Sequence, residues 1–204
     1  TPEPTETPTP EPPTPTATPE PPPAIEPVGA LGDIRGIAVL DPGGPDYVDF
    51  VDVTDDQGLI TMNVPAQWSD VDGRQWDPEG NQVFVGPALT AAPDITAWRD
   101  TWGTPGVFIG SSDQLEDGSP AELLDRNQFS DSCDFDARRP YDDGVYTGEF
   151  DLWVNCGAEQ SAFVVVAAQP ADASFLVLVE LLAASETDWD AIAHVVNTFL
   201  ISPA

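Results

Sequence analysis

Lysine is absent from this chain, and histidine occurs once in 204 residues. Methionine is also single, and there are two cysteines. Each scarcity excludes something. Six Arg face 36 Asp and Glu, a net charge of -30, so no cluster of cations can displace counterions from a polyphosphate. Nucleic acid is excluded as a partner, and an anionic membrane surface is disfavoured on the same ground. A Ser-His-Asp relay needs an imidazole that reaches both nucleophile and carboxylate. The one imidazole, His194, sits beside Val195 and Val196 on an apolar helical segment, and no GxSxG elbow is present. The expectation is a noncatalytic chain without a cofactor. One His distant from two separated Cys does not make a zinc site either. No apolar run reaches membrane-spanning length. The longest, residues 161–184, is broken by Gln169, Pro170, Asp172 and Ser174, whereas a spanning helix needs about 20 nearly uninterrupted apolar residues.

Proline is abundant instead, and about half of the 23 copies precede residue 28. Residues 1–28 are almost entirely Thr, Pro, Glu and Ala. Such a segment cannot bury enough apolar surface to offset chain ordering. It is predicted to be a disordered, extended tether, with polyproline II favoured at about 3.1 Å per residue. Its composition also suits Thr O-glycosylation on an exported stalk. Residues 29–46 read as a Gly/Pro-rich transition segment, and one folded domain is expected over 47–204. With the five tether Glu set aside, the rest of the chain still carries about -25. No basic start leads into an apolar run, so the chain reads as a mature product or a fragment.

Cys133 and Cys156 flank a segment that alternates and turns like adjacent strands. A disulfide between them is predicted, in keeping with an oxidising compartment outside the cytoplasm. Strands are predicted at 48–53, 59–64, 82–85, 106–111, 145–156, 161–168 and 174–182, with mostly antiparallel pairing because most connections are too short for crossovers. Helices are predicted at 94–102, from a cap at Ser119 to before Phe129, and at 187–200. The second has Pro120 at its first position and Glu122 three after the cap, a capping box. The third carries Trp189, Ile192, Val196, Phe199 and Leu200 on one stripe. The fold class is therefore α+β, helices packed on an antiparallel sheet.

Candidate binding residues are few. Among six Trp, Trp98, Trp102 and Trp189 fall on helical stripes and Trp153 on a strand near the cysteines. Trp68 and Trp76, in the polar loop AQWSDVDGRQWDPEGNQ, are the expected exposed platforms for stacking on a sugar. Arg138 and Arg139 could clamp a carboxylate on a partner, although Asp134, Asp136, Asp142 and Asp143 surround them in sequence and would neutralise them. Asp131, Asp134 and Asp136 are the calcium candidates, since hard cations favour carboxylate oxygen. No DxDxDG register accompanies them, so no metal site is assigned.

The strings GLITMNVPAQWSDVDG, GPALTAAPDITAWRDTWGTPGVFIG, SDSCDFD, VYTGEFDLWVNCG and SFLVLVELLAASETDWDAIAHVVNTFLI together resemble a bacterial extracytoplasmic domain of PsbP-like fold, over nearly all of 47–203. The resemblance implies an α/β/α sandwich. It also implies a secreted or surface-tethered binding or regulatory domain, of the kind attached to exported trypsin-like serine proteases, with the protease outside this chain. A protein or cell-surface component is the partner so implied. A carbohydrate-binding module and a stand-alone ligand-binding lipoprotein domain are the alternatives.

Overall fold

The computed structural model describes residues 28–202 except 79, 81, 84, 116 and 117. Thirteen elements follow one another among these residues: β1 (Phe50–Thr54), β2 (Ile60–Pro65), β3 (Asp70–Asp72), β4 (Ala88–Ala92), α1 (Ile95–Asp100), β5 (Gly106–Ser112), α2 (Pro120–Arg126), β6 (Asp134–Asp142), β7 (Tyr146–Cys156), β8 (Ser161–Pro170), β9 (Leu176–Ala183), α3 (Asp188–Val196) and β10 (Leu200–Ile201). The α+β class and antiparallel pairing are as expected. A seven-stranded sheet runs β3-β4-β5-β9-β8-β7-β6, and a three-stranded sheet runs β1-β2-β10. Every ladder within them is antiparallel.

Strand alternation divides the large sheet into two apolar faces. On the first, Leu89, Val107, Ile109, Val164, Val166, Val179 and Leu181 meet Met62 and Val64 of β2 and Trp189, Ile192 and Val195 of α3. This layer is a small sheet plus one helix rather than helices alone. On the second face, Leu123 and Leu124 of α2 pack with Trp153, Phe163, Val165, Leu178 and Leu182. The Cys133–Cys156 disulfide closes this layer, and α1 lies over β3 and β4. No helix among the described residues is long and apolar enough to cross a membrane.

The segment read as a transition, residues 29–46, is instead part of the folded body. Val28, Leu31, Ile34, Ala38 and Leu40 are buried in the first core, and a 3-10 turn at Gly29–Leu31 packs on α3. Its apolar residues come in short groups interrupted by Gly, Asp and Arg, too brief for a periodicity test but not for burial. The tether predicted for 1–28 lies outside the described residues except for Val28, which is fully buried.

Three further expectations change. The strand expected at 82–85 is not formed by its described residues: Gln82 has φ +64°. The strand is β4 just beyond, whose ALTAA is buried on both faces and therefore shows no alternation. Helix α1 ends at Asp100, so Trp102 leaves the helical stripe and packs edge-on against Phe129 and Phe163. Helix α3 stops at Val196 because Leu200 and Ile201 pair with Thr61 and Ile60 of β2. Thr187, just before its first residue, makes no side-chain cap. Asp188 serves instead, its carboxylate accepting from the backbone N–H of Ala184 and Ser185 at 2.9 and 2.7 Å and from the Tyr47 hydroxyl at 2.5 Å. At α2 the cap is as read: Ser119 Oγ accepts from the Glu122 N–H at 3.3 Å.

Candidate ligand-binding cavity

Strand register assembles the polar groups of the second face into one line. Asp72 pairs with Thr90, Thr90 with Phe108, Phe108 with Glu180, Glu180 with Val165, Val165 with Asp151, and Asp151 with Arg138. Directly paired residues point to the same side, so this single row crosses all seven strands. Helix α2 covers its β7–β9 part and α1 the β3–β4 end. Between the helices the row is open, and a cavity of about 1050 Å³ stands over β4, β5 and β9, walled by residues 74–78, Gly80 and Gln82 and by the end of α2 at Asn127.

Two glycines on β5 make the aromatic walls possible. Gly106, Phe108 and Gly110 alternate onto the cavity face. A Cβ on Gly110 would lie 2.8 Å from the Trp76 ring, and one on Gly106 would lie 2.7 Å from Cδ1 of Trp98. The indoles therefore rest against bare backbone on either side of Phe108, with Trp76 edge-on to Phe108 at 5.7 Å. Glu180 lies beside Phe108 on β9, half-buried. No side chain among the described residues hydrogen-bonds or ion-pairs with it, and burial alone pushes its carboxyl up to about 7.

The cavity's two cations are already engaged. Arg74 donates to Asp72 from Nε at 2.8 Å and from Nη2 at 2.6 Å, and Arg99 reaches the same carboxylate at 3.4 Å. Hydrogen bonds from Arg74, reinforced by the charge of Arg99, hold the Asp72 carboxyl down at about 2. Across the sheet the covered end of the row is closed in the same way. Fully buried Asp151 accepts a fork from Arg138, Nε at 2.7 Å and Nη2 at 2.9 Å, and Arg138 Nη1 also donates to Asp125. The Arg138 guanidinium is accordingly held more basic than usual.

The residues singled out from sequence separate accordingly. Trp68 is no exposed platform: it is fully buried in the first core, edge-on to Tyr47. Trp76 is buried too, but it faces the cavity. A polar loop in sequence does not reveal that its indoles fold inward. Arg138 is committed to Asp151 and Asp125, and Arg139 to Asp136 at 2.7 Å, so neither is free to clamp a partner. Asp151 and Asp125, distant in sequence, do the neutralising that neighbouring acids were expected to do for Arg138. Of the calcium candidates, Asp134 accepts from Asn155 and Asp136 from Arg139, and among the described residues no three ligating groups converge, Asp131 included. His194 lies with α3 on the first face, its ring tilted against Phe50 at 4.0 Å, its Nε2 2.5 Å from Asn63 Oδ1.

Sequence reading missed Glu180, Phe108 and Thr90, and it placed Trp98 in the core without a cavity beside it. A signal was present for two of them: GVFIG sets glycines at both same-face neighbours of an aromatic, and a lone Glu interrupts LVLVELLA.

The chain is similar to the cyanobacterial PsbP protein (CyanoP) of Synechocystis, known from its solution structure, at 12% identity and a TM-score of 0.43, over 78% of this chain and 98% of that one. No family model matches, and no curated protein matches. At this level the likeness assigns no residue a role, and the site rests on its own geometry.

Proposed function

We propose that this chain is a noncatalytic, extracytoplasmic binding domain that takes a small molecule into the cavity between α1 and α2. One observation carries the reading: three aromatic side chains and a carboxyl without a partner line an opening of about 1050 Å³ on an otherwise covered sheet face. The absence of chemistry is supported by the position of His194, which sits against Phe50 and Asn63 beside the first core while the cavity opens on the second face. The Cys133–Cys156 disulfide and the Pro/Thr/Glu tether favour an oxidising exterior. On this reading the tether joins the domain to a larger exported assembly, and a trypsin-like serine protease is the candidate that the sequence resemblance raises. A carbohydrate ligand is the second reading, favoured by the two cavity indoles.

The test is a ligand panel of amines, amino acids and oligosaccharides, read by tryptophan fluorescence and thermal shift on the full chain. Saturable quenching that is lost in Trp76→Ala supports the cavity as the binding site. A flat response across the panel, with no shift in melting temperature, overturns it.

A further inference from the structure

Resting on the cavity as a binding site, the ligand class follows from what the lining leaves unsatisfied. Glu180 is the feature that the fold does not explain. Replacing it by Leu or Val would continue the apolar run of β9, and nothing among the described residues repays its desolvation. Arg74 and Arg99 do not serve it, because both are bound to Asp72. The strand register sets two uncharged neighbours beside the carboxyl, Phe108 on β5 and Val165 on β8, and the cavity lining adds Trp76, Trp98, Thr90 on β4 and Asn127 from α2. An ionised carboxylate in a cavity lined by aromatic rings is complementary to a cation whose own surface is apolar. Ring quadrupoles attract such a charge, and it offers no N–H that the rings would leave without an acceptor.

We propose that the cavity binds a quaternary ammonium compound, with Glu180 as its counter-ion and Trp76, Trp98 and Phe108 as its walls. A bare metal ion fits worse, since hard cations require several converging oxygens and the described residues bring none together. A neutral sugar could stack on the indoles but would leave the buried carboxylate uncompensated. The chain's net charge of -30 adds long-range attraction for any cation. Binding is coupled to protons, because the cation selects the ionised carboxylate: affinity rises as pH climbs from 5.5 to 8. The other titratable groups facing the cavity are Asp56, Asp72, Asp77, Arg74 and Arg99. Arg74, made more basic by Asp72, keeps its charge across this range, and Asp72, held low by Arg74, stays ionised.

The experiment titrates the full chain with choline, with its neutral carbon isostere 3,3-dimethylbutan-1-ol, and with cellobiose, by calorimetry and tryptophan fluorescence at pH 5.5 and 8. The expected result is saturable choline binding at pH 8, at least ten-fold weaker for the isostere and several-fold weaker at pH 5.5. Choline affinity should fall ten-fold or more in Glu180→Gln. The isostere comparison uses the unmodified protein, so it decides even where that variant folds poorly. Equal affinity for choline and its isostere overturns the counter-ion role. Cellobiose binding without choline binding overturns the ammonium assignment while sustaining the cavity as a site, and no binding of any of the three, together with a flat wider panel, overturns both.

Discussion

Replacing Glu180 by Gln isolates the cost of one carboxylate on an apolar sheet face. In the folded chain this carboxyl is pushed from 4.5 to about 7. Between those values the native state keeps a proton that the unfolded state has released. Stability supplied by this group is therefore complete below pH 4.5 and lost as pH rises through about 7. A gap of about 2.5 pH units at about 1.4 kcal/mol each sets an upper bound of about 3.5 kcal/mol. The carboxyl is only half-buried, so solvent screening brings the expected figure to about 1–2 kcal/mol. The Gln variant should match the parent near pH 4.5 and exceed its stability by that amount at pH 8. Urea unfolding of both proteins at the two pH values, at one ionic strength, measures it. The difference between variants cancels the many other acids, and equal denaturant slopes would show that the unfolded state is unchanged. Parallel stability curves, with no divergence between pH 4.5 and 8, would refute the claim that Glu180 is desolvated.

Other consequences concern the covered end of the row and its supports. Arg138→Met leaves Asp151 buried and unpaired and should cost about 3–5 kcal/mol, while Arg138→Met with Asp151→Leu should recover most of it; chemical denaturation of the two variants distinguishes a lost ion pair from a stranded charge. Replacing Cys133 and Cys156 by Ser opens a 23-residue separation and should lower stability by about 3 kcal/mol, seen equally in the parent after reduction. Gly110→Ala places a methyl 2.8 Å from the Trp76 ring. It should destabilise by about 1–3 kcal/mol and change the Trp76 contribution to fluorescence, and an unaltered spectrum with unaltered stability would contradict the packing of the indole on β5.

The disposition of particular residues shows what could be read in advance. Ser119, Pro120 and Glu122 act within one turn of chain, and the cap they predict is the cap observed. The hairpin around residues 54–58 and the pairing of β7 with β8 also follow from local alternation and turn residues. Thr187 carries the same kind of signal, yet Asp188 holds the turn, because a tyrosine 141 positions away donates to it. Trp68 and Trp76 share one polar loop, but one enters the first core and the other lines the cavity. That outcome depends on β2 and β5, which the loop itself does not contain.

Composition, charge, alternation, caps and the cysteine pair are properties of neighbouring residues, and from them the sequence alone determined an acidic α+β domain with antiparallel strands and a disulfide. The register of seven strands is not local. Only the folded sheet decided that Asp72, Thr90, Phe108, Glu180, Asp151 and Arg138 form one row. Only the placement of α1 and α2 decided which part of that row is sealed and which is left open. The physical reason is that a carboxyl's environment is set by the partners packed around it, and those partners arrive from strands scattered along the chain.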